Sequence, residues 1–328
     1  MIWVFKYGAP LARPSTIEGV FPMLKKSVLF FFLCFLSSFA NAVPIGQAGR
    51  EIEFLSAGIG TRALSMGNAF SAVADDVNAH YYNPAGLSQL KHTELTTMQT
   101  KLLEVVDYYY IALGIPASNN AFVLSWLQAS VQNIPLVSTT DPGINSDVTP
   151  EGFADYYANA LIAGYGCKVS RSLSLGVSAV GFYKDMAGIS QGKGAGFTMS
   201  LGVLYDTENG FKYGLVLKDI VNWQRWSTTR TEIVIPTMRL GISWKPFDFL
   251  TNAVDLEQQL GNGHYPIWHL GSELNLFDRF RVRAGLDSGT LTAGISAGIY
   301  AIYFDYGYLG EDRYNLASAH RVTVGVLF

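Results

Sequence analysis

His320-Arg321-Val322-Thr323-Val324-Gly325-Val326-Leu327-Phe328 closes the chain, and its reading decides the fold. Val322, Val324, Val326 and Phe328 share one face at period two, the repeat of a β-strand. The same alternation recurs upstream. Trp268, Leu270, Ser272, Leu274 and Leu276 alternate with His269, Gly271, Glu273 and Asn275. Met238, Leu240, Ile242 and Trp244 alternate with Arg239, Gly241, Ser243 and Lys245, and Tyr213, Leu215 and Leu217 with Lys212, Gly214, Val216 and Lys218. One face is apolar or aromatic; the other is small or charged. A soluble sandwich also alternates. Here the strands run to about ten residues, the length a tilted membrane strand needs, and aromatics gather near strand ends as interfacial girdles do. The expected fold is an all-β membrane protein, an antiparallel transmembrane β-barrel.

Counting supports closure. Candidate strands lie near 93–101, 107–116, 120–130, 155–168, 172–184, 194–206, 210–221, 235–246, 250–259, 266–276, 279–287, 290–299, 301–309 and 319–328. That is about fourteen, an even number. With a periplasmic start, turns after even strands should be short, and 117–119, 169–171, 207–209 and 247–249 are. Connections after odd strands should be longer. Residues 131–154 form the longest, followed by 222–234 and 310–319, while 288–289 departs from the rule. With the apolar face outward, Lys212, Lys218, Arg239, Asp255, Glu257, Glu273, Arg281, Arg283, Asp305 and Arg321 point into the lumen. The simplest reason is avoidance of lipid, where a charge costs about 2–4 kcal/mol at the midplane.

Composition agrees. Charged residues are 15% of the 328, too few for a disordered or coiled-coil chain, and the net charge of -3 offers nucleic acid no basic surface. Lys25-Lys26, the apolar run Val28 to Leu36 and Ala40-Asn41-Ala42 form the n-region, h-region and A-x-A site of a cleavable signal peptide over 23–42. Residues 1–22 then read as an overextended N-terminus, and export leaves Val43 to Phe328 with one cysteine, Cys167. After residue 42 no apolar run is long enough for a spanning helix.

Residues 43–91 break the alternation and precede the barrel at 92–328. Ile59, Ala63, Met66, Phe70, Val73 and Val77 recur at spacings of four and three, one face of a helix ending near Asp75-Asp76. Asn83-Pro84 starts a second, with Asn as N-cap and Pro at N1. So short a segment must pack on something, and the lumen is the available surface. It is read as a helical hatch.

Gly60-Thr61-Arg62-Ala63-Leu64-Ser65-Met66-Gly67-Asn68-Ala69-Phe70, with Ala72 to Asp76 and Tyr82-Asn83-Pro84-Ala85-Gly86-Leu87, resembles the N-terminal signature of the PorV/PorQ family, within the FadL-like outer-membrane barrels. The resemblance implies a fourteen-stranded barrel with a hatch carrying an Asn-Pro-Ala motif, here Asn83, Pro84 and Ala85. It implies passage of hydrophobic compounds such as fatty acids, released inward or sideways. Alternatively, it implies a PorV-type role in type IX secretion, binding secreted proteins at the cell surface. The terminal Phe328 is similar to the end of bacterial barrels that is handed to the barrel-assembly machinery. Outer-membrane lipid and that machinery are the expected partners, and the bacterial outer membrane the expected location. The mature chain is short for either role, which implies reduced outer loops.

Phe54, Leu55, Met66 and Phe70 are candidates for an apolar ligand floor. Trp223 and Trp226, beside Arg225 and Arg230, are candidates for a partner surface, since Trp and Arg dominate binding hot spots. No HExxH, CxxC or GxSxG motif occurs. Gly58-x-Gly60-x-x-Ala63 lacks the βαβ context of a dinucleotide site. His269 and Glu273 are too far apart along a strand to touch. No enzyme activity, cofactor or metal is expected.

Overall fold

The computed structural model describes residues 48–49, 54–139, 148–189, 192–207, 209–261, 265–277, 279–310 and 318–328. The expected signal peptide and overextended N-terminus lie outside them. Among the described residues fourteen strands form one ring: β1 Glu94–Leu102, β2 Val106–Ala117, β3 Asn120–Thr139, β4 Val148–Lys168, β5 Leu173–Ala187, β6 Lys193–Asp206, β7 Phe211–Trp226, β8 Thr237–Phe247, β9 Leu250–Gln259, β10 Ile267–Leu276, β11 Phe280–Asp287, β12 Thr290–Ile299, β13 Ile302–Leu309 and β14 Ala319–Leu327. Neighbours pair antiparallel, and β14 closes on β1 from Arg321 opposite Thr100 to Leu327 opposite Glu94. No edge strand is left in the ring. No described helix is long and apolar enough to cross a membrane.

The alternation was the correct guide to facing. Ile111, Leu113, Ile115, Phe122, Leu124, Trp126, Leu161, Ile242 and Leu270 are exposed on the outside, while Tyr108, Tyr110, Leu127, Ile162, Arg239 and Asp255 are buried inside. An apolar exterior around a polar interior is the arrangement a bilayer demands.

Strand lengths differ from expectation in one region. β3 has 20 residues and β4 has 21. β2 pairs with β3 only as far as Asp107 opposite Ser130, and β5 with β4 only as far as Asp155 opposite Ala187. Above that level β3 and β4 continue alone as a two-stranded ribbon, so much of the connection expected at 131–154 is strand. Nine further residues of β3 and seven of β4 extend it roughly 25 Å along the strands beyond its neighbours. A second addition is a short strand, Thr231–Val234, which pairs with the top of β7 and takes Ala48–Gly49 in parallel on its other side. We call this end of the barrel the ribbon end. The other, with the turns after β2, β4, β6, β8, β10 and β12, is the turn end.

The hatch, residues 54–91, lies inside the ring. The single helix expected from Ile59 to Val77 is not formed. α1 covers only Thr61–Ser65, α2 Ala79–Tyr82, and a 3-10 turn Pro84–Gln89. α1 stops because Gly67 and Asn68 take φ of 61° and 63°, and the Asn68 N–H returns to Ala63 O at 3.0 Å, a left-handed C-cap. Gly67 lies so close to the wall that a Cβ would be 2.5 Å from Leu270 O and 2.6 Å from Leu286 N. The Ala69 N–H donates to Met66 O at 3.1 Å, and the N–H groups of Phe70 and Ser71 then donate to Asp255 Oδ2 at 3.1 and 2.9 Å rather than to a helix carbonyl. A wall carboxylate replaces the helix. The apolar series itself is buried as expected: Ile59, Ala63, Met66, Phe70, Val73 and Val77 belong to the shared core.

Candidate functional site

Two devices hold the hatch across the lumen. The first is close approach. Gly114, Gly164, Gly166, Gly176, Gly202, Gly214, Gly241, Gly271, Gly285, Gly294 and Gly307 all face inward, and at each a Cβ would collide with a hatch or wall atom. They come from ten strands, so a belt of bare backbone surrounds the hatch. Inward glycine in an alternating strand marks close backbone approach, and this was the available sequence signal for the belt.

The second device is charge. Arg62 forms a fork on Glu273 of β10, Nε to Oε2 at 2.7 Å and Nη2 to Oε1 at 2.8 Å, and its Nη1 reaches Asp75 at 2.5 Å and Asp76 at 3.2 Å. Burial opposes the guanidinium charge, but the three carboxylates outweigh it and hold Arg62 well above its usual range. Glu273 also accepts from Arg283 Nε at 2.6 Å, and Arg283 lies 3.4 Å from Asp305. Around the ring, Arg239 pairs with Glu257, His269 Nδ1 lies 2.9 Å from Asp287, and Arg321 donates to the carbonyls of Ala57 and Gly58. The lumen charges therefore do more than avoid lipid: they grip the hatch. The sequence reading missed Arg62 as their centre, because nothing local pairs it with Glu273.

Asn83 anchors the Asn-Pro-Ala motif. Its Oδ1 accepts from the Ala85 N–H at 3.1 Å, capping the 3-10 turn, and its Nδ2 donates to Ser71 O at 2.7 Å and Val203 O at 3.1 Å. One amide thus ties two hatch segments to β6. Nearby, His80 is fully buried between Val77 O and Ser125 Oγ, both at 2.8 Å. Burial brings its imidazole down to about 4, so it is neutral, with Nδ1–H donating to the carbonyl.

The candidate ligand residues separate. Met66 and Phe70 are enclosed at 0% exposure, Phe70 edge-on to Tyr82. Phe54 meets Phe182 edge-on, and Lys184 sits over both rings and over Trp226 at 5.4–5.5 Å, donating to Gln224 at 3.1 Å. Trp226 thus faces the lumen, whereas Trp223 is exposed. Leu55 lines a cleft of about 30 Å³ at the hatch, with Tyr81, Ile162, Val180, Lys218 and Asp219. This cleft reaches the wall where the ladder breaks. The β6–β7 register shifts between Met199 and Leu201, with Asp219 at φ 57°. Beyond Lys218 opposite Thr237, β7 leaves β8 and pairs with Thr231–Val234 instead. Thr198 donates to the Asp219 carboxylate at 2.5 Å, and Asn222 bridges to Val234. Side chains, not a continuous ladder, close the wall here.

At the turn end the lumen opens into two polar cavities. One, of about 450 Å³, is lined by Arg62, Asp75, Asp76, Glu94, Lys245 and Arg281, among others. The other, of about 590 Å³, includes Ser88, Lys91, Lys168, Arg171 and Asp206. Among the described residues no cluster of His, Cys, Asp and Glu could hold a metal ion.

No protein-family model matches the sequence, and no curated protein does. Solved structures do. The CymD monoaromatic hydrocarbon channel aligns with a TM-score of 0.56 at 14% identity, over 82% of this chain and 96% of its own. The toluene transporter TbuX of Ralstonia pickettii aligns at 0.57 and 12%, over 82% and 97%. The toluene transporter TodX of Pseudomonas putida aligns at 0.58 and 10%, over 82% and 97%. Identities this low speak to architecture alone: the chain shares the barrel fold of these structures.

Proposed function

We propose that this chain is an outer-membrane channel for small hydrophobic molecules, which leave the lumen sideways through the wall at β6–β7. The turn end is then the periplasmic side. The observation that carries the reading is the pairing of a sealed axis with a broken ladder. Along the axis, a hatch fixed by glycines and buried ion pairs is followed by charged cavities, where an apolar molecule would shed no water. Sideways, an amphipathic cleft runs from Leu55 and Tyr81 to the bulge at Asp219. The likeness to hydrocarbon and toluene transporters supports the same reading, as does the resemblance of the hatch signature to FadL-like proteins.

The test removes the bulge. β7 has three residues, 218–220, opposite Ser200 alone. Deleting Asp219 and Ile220 restores the register, so the barrel should fold while uptake of a monoaromatic hydrocarbon or a fatty acid falls. Unchanged uptake would overturn the sideways route. The PorV-type alternative has one feature in its favour, the projecting β3–β4 ribbon, a surface for an extracellular partner. Secreted proteins co-purifying with the barrel, without any bound hydrophobic compound, would favour it over the channel.

A further inference from the structure

Strand length divides the barrel into two walls. β2 to β7 have 12, 20, 21, 15, 14 and 16 residues. β8 to β14 have 11, 10, 10, 8, 10, 8 and 9, and β1 has 9. At about 3.3 Å per residue and a tilt of about 40°, ten residues climb about 25 Å, the height of the apolar band. Eight climb only about 20 Å. β11 and β13 therefore fall short of the band, β14 and β1, at nine residues, fall about 2 Å short, and β9, β10 and β12 have no slack.

The turns that close this low wall at the turn end differ in kind from the others. Phe247 and Phe249 flank the β8–β9 turn with rings stacked at 5.2 Å. Phe277, between β10 and β11, is 93% exposed, and Tyr300, between β12 and β13, is 95% exposed. Both sit in the left-handed region, at φ 57° and 56°, where glycine or asparagine is the usual occupant. The high-wall turns carry Ser118-Asn119, Val169-Ser170-Arg171-Ser172, and Thr207 with Asn209-Gly210; Val169 is exposed there and Phe211 follows the last of them, but no aromatic sits within these turns. Exposed aromatics thus crowd the turns of the wall that is too short to span. They continue the lipid-facing surface of the same strands, where Phe280, Ile299, Ile302 and Phe304 are exposed.

We infer that the low wall is a lipid anchor: Phe277 and Tyr300 sink into the leaflet at the turn end and draw the bilayer thin along β10–β14, while the turns of the high wall stay in water. A strand shorter than the hydrocarbon thickness is accommodated by thinning, and aromatic side chains hold the interfacial level. The partner is the phospholipid surface itself. The inference rests on the membrane-barrel fold and stands whether or not the barrel transports anything.

The experiment places one spin label at a time, with Cys34 and Cys167 replaced by serine. Phe277→Cys and Tyr300→Cys probe the low wall, Ser118→Cys and Ser170→Cys the high wall. Asp248→Cys and Ala301→Cys serve on the low wall if either first choice fails to fold. Accessibility to oxygen and to a water-soluble nickel chelate is measured in dimyristoleoyl- and dieicosenoyl-phosphatidylcholine vesicles. Low-wall labels should favour oxygen and high-wall labels the chelate, and the low-wall labels should move toward water in the thinner bilayer. Equal chelate access at all the turns, or low-wall labels indifferent to lipid length, would overturn the inference.

Discussion

Replacing Gly202 by alanine is a sharp perturbation of the hatch, because it adds one methyl group at a defined point. A Cβ on Gly202 would overlap Asn83 Oδ1 and lie 2.8 Å from Pro84 Cδ and 3.0 Å from the Ala85 nitrogen. Asn83 must then move. In moving it loses its hydrogen bonds to Ser71 O, Val203 O and Ala85 N. At about 1 kcal/mol each, with an overpacking term of about 1–3 kcal/mol, the cost is about 4–6 kcal/mol. Gly181→Ala is the control: it lies on neighbouring β5 with nothing within 4 Å of the new methyl, and should change stability by less than about 0.5 kcal/mol. The assay is urea unfolding in detergent, read by tryptophan fluorescence, with limited proteolysis of the hatch alongside. Asn83→Ala adds an internal check. It removes the atom in the way, so the double variant should be less damaged than the sum of the singles, by about 0.5–3 kcal/mol of coupling. If Gly202→Ala behaves like Gly181→Ala, or the two singles add, the hatch is not seated against β6 as argued.

Arg62→Met leaves Asp75, Asp76 and part of Glu273 without their cation. It should cost about 3–5 kcal/mol at neutral pH, in a deficit that narrows under acid as the orphaned carboxylates protonate, measurable by urea midpoints across pH. His80 is held neutral, its pKa down at about 4 through burial. Its stabilisation is full above the unfolded value of about 6.5 and is lost as pH falls from there toward 4. The loss totals about 3 kcal/mol, and His80→Gln should flatten that slope. Deleting residues 132–153 and joining β3 to β4 by a short turn removes only the ribbon beyond the rim. The barrel should keep its unfolding midpoint, compared by the same urea titration.

Much of the wall was legible because its cause is local. Lipid outside and a packed lumen inside force period two, and all fourteen strands follow from that alternation, down to Val322, Val324 and Val326 at the end. Asn83-Pro84 was legible for the same reason: a cap and a fixed φ act within three residues. The rest depends on contacts far apart in sequence. Ile59 to Val77 has a helical period, yet Gly67 must touch β10 and β11, and Asp255 takes the N–H groups of Phe70 and Ser71, so the helix gives way. The Arg62 cluster joins residues 211 apart, which no spacing rule reveals. The ribbon reads as loop in sequence because Asp141-Pro142-Gly143 and Thr149-Pro150-Glu151-Gly152 carry turn residues, yet β3 stays paired with β4 out to Thr139 opposite Val148. Lys184 stood out least, a lysine in an alternating strand that the aromatic rings of Phe54, Phe182 and Trp226 enclose.

The central claim is that a sealed axis and a broken wall make a path for apolar solutes alone. It is tested most directly by comparing two uptakes in the same bacterial cells, with and without this protein. One is a radiolabelled monoaromatic hydrocarbon or fatty acid; the other is a hydrophilic sugar of similar size. The account expects faster entry of the hydrophobic compound, reduced by deletion of Asp219 and Ile220, with sugar entry unchanged. Faster sugar entry, or no gain for either solute, would contradict it.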